Sequence, residues 1–271
     1  MAKDAFRFSG EGAINYDRYL GPLLFEPYAL DLASKIDTSG VTSVLEIACG
    51  TGRVTRHLRH VFNKDTRLVA TDFNADMLQV AKNKLEDLSI DFQVEDAQNL
   101  SFPENSFDLV VCQFGLMFLK DKPKGLSEAL RVLKPGGTFV FTTWDRTDNI
   151  PLLKLLFNDL ILPCFRDEDT SRFLIPFSLF DPSLLETWMK EAKFSDVTTS
   201  RVTLSSHAPA PQPIIDGFFL RHSLGKEVLE KSPSDFNKLI IKMEEQIIRQ
   251  FGNANISFDL SAFYVSGKKE R

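Results

Sequence analysis

A strand-like segment that ends in a glycine turn constrains the fold of this chain more than any other feature. Residues 42–48 (TSVLEIA) are mostly β-branched or apolar, and Cys49-Gly50-Thr51-Gly52 follow before a helical pattern begins. Glycine accepts positive φ and lets the backbone approach a ligand closely, because it has no Cβ. In a doubly wound α/β sheet, ligands bind at the carboxyl ends of the strands. The segment therefore predicts a ligand site at one edge of such a sheet.

Two acidic residues near this turn narrow the ligand. Asp72 lies about 20 residues beyond Gly52, which is the interval expected for a carboxylate that accepts hydrogen bonds from ribose hydroxyls. Glu46, just before the turn, suits a ligand that carries a positive charge. Thr55 stands where a dinucleotide fingerprint requires its third glycine, so the pattern opposes a nicotinamide cofactor.

The first half of the chain alternates strand and helix patterns. Such alternation is typical of βαβ units with right-handed crossovers and predicts a doubly wound α/β sandwich over Val41 to Trp144. The continuous apolar middle of the fourth strand indicates a strand that is covered on both faces. The predicted strands are 42–48, 67–71, 91–94, 107–114 and 138–144, and the predicted helices are 53–62, the segment that Asn74 caps, and 124–133.

The rhythm changes after Asp145. The segments there predict three further helices, one helix that begins at Asp181-Pro182, two more strands, and a stiff proline linker with no regular structure. The helices are 149–162, 182–192, 214–223 and 234–251, the strands 196–204 and 256–265, and the linker 208–213.

These elements predict one domain over residues 1–271, with a Rossmann-like, seven-stranded, mostly parallel sheet whose last strand is antiparallel. Helical cap insertions complete it. Its expected parts are an N-terminal helical lid (1–40), a cofactor-binding core (41–144), two cap insertions (145–180 and 208–252), and the last two strands (196–204 and 256–266).

Composition excludes several classes of protein. Three scattered cysteines argue against a disulfide scaffold and favour a reducing compartment, and no cysteine or histidine cluster has metal-site spacing. A net charge of −5 disfavours a nucleic-acid surface. No apolar run is long enough to span a membrane, and residues 1–20 lack the apolar stretch of a signal peptide. The expectation is a soluble, cytoplasmic protein.

Five motifs in chain order resemble those of class I S-adenosylmethionine-dependent methyltransferases, within the UbiE/COQ5-like branch that acts on small molecules. They cover about Val41 to Trp144. One departure is visible, since Ala48 stands where the pattern often has its first glycine. The motifs are EIACGTG (46–52), TDFNADML (71–78), EDAQNLSFP (95–103), FDLVVCQF (107–114) and RVLKPGG (131–137).

The resemblance implies S-adenosylmethionine as cofactor and assigns parts of the site to it. The methionine part would lie against the backbone of the glycine turn, with Glu46 close by, and Asp72 would hold the ribose hydroxyls. Phe73 and Met77 would flank the adenine, although both could instead be core residues. The turn residues concerned are Ala48, Cys49, Gly50 and Gly52.

The remaining implied contacts come from later motifs and from the N-terminus. Asp96 would accept from the adenine amino group, and the Ala97 N–H would reach a ring nitrogen. Gln113 and Phe114 would line the methyl-transfer side, although Gln113 could instead satisfy loop backbone. Tyr16, with Tyr19 beside it, would help to close the pocket, or would simply pack within an N-terminal helix.

The reaction expected is in-line transfer of a methyl group to a small, apolar or aromatic acceptor. The cofactor carries the reactive carbon and the protein mainly orients it. The sequence identifies no catalytic base, because its candidates are all common surface or structural residues. Phenylalanines after Asp145 favour an apolar acceptor, or form an ordinary core. The candidate bases are His57, His60, Asp145, Arg146, His207 and His222.

Two other functions stay open from sequence. One is a non-catalytic module that binds the cofactor and acts through a protein partner, because no acceptor site is recognisable. The other is an NAD-dependent oxidoreductase, which Thr55 opposes. The acceptor, the methylated atom and the oligomeric state are not determined by the sequence.

Overall fold

The computed structural model describes residues 10–165 and 168–271, so residues 1–9 of the predicted lid and 166–167 of the first predicted cap lie outside the described residues. Seven strands form one sheet in the order β3-β2-β1-β4-β5-β7-β6. This confirms the predicted fold class. The strands are β1 (Ser43–Ile47), β2 (Arg67–Asp72), β3 (Asp91–Val94), β4 (Phe107–Gln113), β5 (Leu133–Trp144), β6 (Ser195–Ala208) and β7 (Ile256–Lys268).

The first five strands are parallel, and β7 is antiparallel to β5. Side-chain pairs show that β6 also runs antiparallel to β7. Thr198 Oγ1 lies 2.8 Å from Ser266 Oγ, and Ser205 Oγ donates to Asp259 Oδ1 at 2.7 Å. Residue numbers therefore rise along one strand as they fall along the other.

Helices connect the strands as the βαβ pattern requires. Within the described residues the α-helices are α1 (Glu11–Asn15), α2 (Glu26–Lys35), α3 (Arg53–Val61), α4 (Ala75–Lys84), α5 (Lys122–Val132), α6 (Pro151–Leu153), α7 (Pro182–Glu191), α8 (Pro211–Ile215), α9 (Ser223–Lys231) and α10 (Pro233–Phe251). The π-helical segments are Tyr16–Phe25, Lys154–Ile161 and Asp216–Leu220, and the 3₁₀ segments are Leu116–Phe118, Thr147–Asn149, Leu162–Phe165 and Ser171–Phe177.

Local capping rules explain the helix starts that the sequence predicts well. Asn74 Oδ1 accepts from the N–H groups of Asp76 and Met77, so it caps α4 as expected. Asp181 caps α7 in the same way, with Pro182 in the first turn. The fifth strand differs from prediction, because it begins at Leu133 rather than 138 and includes the Pro-Gly-Gly sequence at an irregularity in its pairing with β4.

The second half contains the larger corrections. The proposed linker 208–213 is wrong, because β6 continues to Ala208 and α8 begins at Pro211, where a proline lacks an N–H that a first helical turn leaves unpaired anyway. The predicted helix 149–162 is a series of short 3₁₀, α and π segments. Helix α9 has no counterpart among the predicted elements.

Packing divides the described chain into two units. The sheet unit comprises residues 29–145, 176–202 and 262–271. The insertion unit comprises the described residues among 1–28, 146–175 and 203–261. These boundaries differ from those of the predicted lid and caps, and the division into core, lid and cap stays a prediction.

Each unit has its own apolar interior. On one face of the sheet, Leu32 of α2 and Leu58 of α3 pack with strand residues such as Val111. The insertion unit also buries aromatic rings: Phe165 contacts Phe173 with ring centroids 4.8 Å apart. No helix in the described parts of the chain is long and apolar enough to cross a membrane.

Candidate cofactor site

The glycine turn adopts the backbone conformation that its residues predict. Gly50 and Gly52 have φ values of 56° and 78°, in the left-handed region that glycine accepts without strain. A Cβ on Gly52 would lie 2.8 Å from Leu85 Cδ1 and 3.1 Å from Ala81 Cβ, so this glycine also permits close packing against α4. The turn is thus held both by conformation and by packing.

Ala48 also has positive φ, at 55°, where an alanine is strained. It occupies the position of the glycine that the motif often has, and the backbone there keeps the glycine-like conformation. Gly115 makes room for its methyl group, because a Cβ on Gly115 would lie 2.5 Å from Ala48 Cβ. The sequence departure is therefore accommodated without a change in the turn.

Asp72 connects the end of β2 to the glycine turn. Its Oδ2 accepts from the Gly50 N–H at 2.7 Å and its Oδ1 from the Asn74 N–H at 2.8 Å. Burial raises the pKa of this carboxyl, and the two backbone donors oppose that shift. Each oxygen accepts one backbone hydrogen bond and retains further acceptor capacity, which suits ribose hydroxyls.

Glu46 is a buried acid at the end of β1, directly before the turn. Glu46 is 1% exposed, and its Oε2 has no hydrogen-bond partner among the described residues. Burial, against an opposing contribution from Thr55 and with a smaller one from the charge of Asp72 in the same direction, raises the pKa of Glu46 to about 8. A nearby cation would stabilise the ionised form, so Glu46 favours a positively charged ligand group.

The third motif places an acid at the next strand end along the sheet. Asp96 follows β3, and its Oδ1 accepts from both the backbone N–H and the side-chain amide of Gln98. These hydrogen bonds lower the pKa of Asp96, so its second oxygen is an ionised acceptor. The Ala97 N–H makes no hydrogen bond within residues 10–165 and 168–271. Both groups match the roles that the resemblance implies for adenine.

Phe73 and Met77 differ in burial. Phe73 is 76% exposed beside Asp72, so the alternative that it is a core residue is wrong. Met77 is buried, and its Cε would lie 3.6 Å from a Cβ on Gly50, so its side chain packs against the turn. An exposed aromatic ring at a strand end is available to stack on a planar ligand group.

Gln113 is the last residue of β4, and Phe114 follows it. Phe114 has a φ of 53°, and its ring stacks on Trp144 with centroids 3.8 Å apart and an interplanar angle of 3°. The Phe114 N–H donates to the Thr142 carbonyl at 3.1 Å, which links the ends of β4 and β5. Sequence reasoning did not identify Trp144 as a partner, because only the pairing of β4 with β5 brings the two rings together.

The candidate bases differ in burial and in the packing unit to which they belong. Asp145 is 1% exposed after β5 and forms an ion pair with Arg201, Nε to Oδ2 at 3.3 Å. His222 is buried in the insertion unit, where burial lowers its pKa to about 4. His207 is exposed on β6. No group of three or more histidine, cysteine or acidic side chains that could hold a metal is present among the described residues.

Tyr16 belongs to the insertion unit. It begins the first π-helical segment, and its ring stacks on Phe25 with centroids 4.9 Å apart. This contact agrees with packing inside the N-terminal helix. A role for Tyr16 beside the cofactor stays a prediction.

The hydrogen-bond acceptors at this edge of the sheet match the polar groups of one cofactor. Glu46, Asp72 and Asp96 are three acids at the ends of adjacent strands, and they suit an ammonium or sulfonium group, ribose hydroxyls and an adenine amino group. The residues present therefore fit S-adenosylmethionine.

Comparison with known proteins decides the family. The family described as "Methyltransferase domain" matches residues 45–141. The ubiquinone/menaquinone biosynthesis C-methyltransferase UbiE of Pseudomonas savastanoi is 34% identical over 184 residues, which cover 62% of this chain and 72% of the relative. UbiE of Hahella chejuensis is 33% identical over 196 residues, 65% of this chain and 79% of the relative.

The chain belongs to the UbiE-like family of class I S-adenosylmethionine-dependent methyltransferases. It is an enzyme, and its cofactor is S-adenosylmethionine.

Solved structures agree on the fold. The YcgJ protein of Bacillus subtilis superposes with a TM-score of 0.56 at 20% identity, over 90% of this chain and 99% of that chain. Phosphoethanolamine N-methyltransferase 2 of Haemonchus contortus, solved with S-adenosylmethionine, gives a TM-score of 0.59 at 17% identity, over 99% of this chain and 59% of that chain.

Proposed function

We propose that this methyltransferase transfers the methyl group to a ring carbon of a small, apolar aromatic acceptor. The observation that carries the proposal is the extent of the likeness to the curated relatives. Their matched stretches of 184 and 196 residues are longer than the 45–141 segment can contain, so the likeness continues outside the cofactor-binding part. Both relatives are named as C-methyltransferases.

The site residues divide the work of this reaction in a simple way. When bound, the cofactor supplies an electrophilic methyl group. Asp72 and Asp96 hold its ribose and its adenine through hydrogen bonds, and Glu46 offers a counter-charge to its cationic part. Fixing the geometry in this way removes much of the entropic barrier to an in-line displacement.

A carbon acceptor must also lose a proton, which requires a base or an already ionised ring oxygen. Asp145 is the best placed of the candidate bases, because it follows β5 within the sheet unit.

The buried phenylalanines give weaker support to an apolar acceptor. Phe157, Phe165 and Phe219 pack inside the insertion unit, as an ordinary core would. A cytoplasmic location and the absence of nucleic-acid partners stay predictions.

The test uses purified protein and a cofactor with a deuterated methyl group. The acceptors are a 2-alkyl-1,4-naphthohydroquinone for carbon, catechol for oxygen and tyramine for nitrogen. We expect label on a ring carbon of the hydroquinone, located by tandem mass spectrometry, and less of it with Asp72→Ala at low cofactor concentration. Label found only on oxygen or nitrogen would refute carbon transfer.

A further inference from the structure

A small pocket in the insertion unit has a lining unlike that of the cofactor site. Its polar lining residues are Asn15, Tyr16, Arg221, His222 and Ser223, and none of the described residues of the lining is acidic. The whole chain carries a net charge of −5, so a pocket whose one charged residue within the described chain is an arginine is a local exception. All of its lining residues belong to the same packing unit.

Two lining side chains have hydrogen-bonding capacity that the fold does not use. The Arg221 guanidinium and the Asn15 amide each form no hydrogen bond or ion pair with the described part of the chain. The backbone of Arg221 is fixed nonetheless, because its N–H donates to the Asp216 carbonyl at 2.8 Å. A guanidinium on a fixed backbone offers a planar set of hydrogen-bond donors that matches a carboxylate or a phenolate oxygen.

His222 is a buried, neutral side chain in the same lining. Its Nδ1 accepts from the Leu224 N–H at 3.2 Å, which assigns the proton of the neutral ring to Nε2. Burial lowers the pKa of His222 to about 4, so the ring stays neutral near pH 7. The imidazole therefore adds no second positive charge to the lining.

The backbone around the pocket is unusual at two places. Tyr16 and Leu20 belong to one π-helical segment and Gly217 to another. Segments of this kind are rare and often occur at functional sites. The two approach closely, because a Cβ on Gly217 would lie 3.1 Å from Leu20 Cδ2 and 3.2 Å from Tyr19 Cβ.

From these observations we propose that the pocket binds the anionic oxygen group, carboxylate or phenolate, of a small ring compound. Arg221 and Asn15 bind the oxygens, and Leu20 with the Tyr16 ring contacts the apolar part. This site is separate from the acids that hold the cofactor and does not depend on the acceptor class proposed above. Its ligand is either the methyl acceptor or an effector with the same chemistry.

The test compares two matched probes by NMR titration of ¹⁵N-labelled protein. Benzoate carries the anionic group, and benzamide has the same ring without the charge. We expect benzoate to shift the amide signals of Gly12, Gly217 and Ser223 and to bind at least tenfold more tightly than benzamide. Equal binding of the two probes, or no benzoate shifts at those amides, would overturn the proposal.

Variants separate the pocket from general charge effects. Arg221→Ala should weaken benzoate binding about tenfold and Asn15→Ala less, while Arg249→Ala, an exposed control in the same unit, should change nothing. Since Arg221 is exposed, its replacement leaves the fold intact, which thermal unfolding verifies. An Arg221→Ala protein that binds benzoate like the wild type contradicts the assignment.

Two further measurements show whether the ligand is the methyl acceptor or an effector, and whether a loss of binding arises at this pocket or at the cofactor site. Calorimetric titration with S-adenosylmethionine reports on the cofactor site, so loss of benzoate binding with normal cofactor binding concerns this pocket alone. Inhibition by benzoate that a higher concentration of a turned-over acceptor relieves identifies the acceptor as the occupant. Inhibition or activation that the acceptor does not relieve identifies an effector.

Discussion

The cofactor edge of the sheet unit and the helices of the insertion unit are specified in different ways. At the edge, short-range effects set the conformation. Gly52 adopts a positive φ, Asp72 accepts a hydrogen bond from the Gly50 N–H, and Asn74 caps α4. In the insertion unit, the helix that contains Gly225 depends on an approach to the preceding segment. The difference shows that short-range rules locate the glycine turn, whereas the irregular helices depend on packing.

The largest expected effect is a pH dependence that arises at Glu46. Its pKa is about 8 in the folded chain and near 4.5 when exposed. Between pH 4.5 and pH 8 the folded state therefore keeps a proton that the unfolded state releases. Stability contributed by the protonated group is therefore lost as pH rises from about 4.5 to 8. We expect this loss to be about 4–5 kcal/mol relative to Glu46→Gln.

Urea unfolding of the cofactor-free protein at several pH values measures that loss. Glu46→Gln keeps the size and neutrality of the protonated acid, so its own curve reports every other titrating group, including Asp72. Wild-type and variant curves that stay parallel from pH 4.5 to 8 would show that Glu46 is ionised in the fold.

The next effect tests the insertion unit. A Cβ on Gly225 would overlap the carbonyl oxygen of Phe219, which is backbone and cannot move aside as a flexible side chain can. Gly225→Ala should lower the free energy of unfolding by about 3–4 kcal/mol, at the upper end of overpacking effects. Gly252→Ala is the matched control, because its φ of 93° costs strain while no atom lies within 4 Å of the added Cβ.

Chemical denaturation monitored by circular dichroism distinguishes the two variants. A Gly225→Ala protein as stable as the wild type would mean that α9 does not require the close approach, and the contrast between the two regions would disappear.

A similar pair measures the glycine turn. Gly52→Ala combines the strain of a φ of 78° with contacts to Leu85 and Ala81, and should cost about 2–3 kcal/mol. Gly40→Ala has nearly the same strain, with a φ of 72°, and no atom within 4 Å. The excess of Gly52→Ala over Gly40→Ala in urea unfolding is the packing contribution, and no excess would mean that conformation alone requires glycine.

The smallest effect is on cofactor affinity. Asp72→Ala should weaken binding of S-adenosylmethionine by about 1–3 kcal/mol, because buried hydrogen bonds to the ligand are lost. Isothermal titration measures this, with the exposed Asp65→Ala as a control of equal charge change. Unchanged affinity in a folded Asp72→Ala protein would refute the role assigned to this acid.

Local rules predicted much of the sheet unit and little of the insertion unit. Asn74 and Asp181 cap their helices as expected, since a cap depends only on the following two or three residues. Helix α9 escaped prediction because its interior glycine, Gly225, disfavours a helix in isolation. Pro211 was interpreted as part of a linker, although proline is equally suited to the first turn of a helix.

The sequence by itself determined the order of βαβ units, the glycine turn and the acids at the strand ends, because each depends on spacing along a single strand and its turn. Only the tertiary structure decided that Glu46 is buried without a partner for Oε2, that Trp144 stacks on Phe114, and that Arg221, Asn15 and His222 line one pocket. These features join residues distant in the chain, and burial and close contact arise only when the elements pack together.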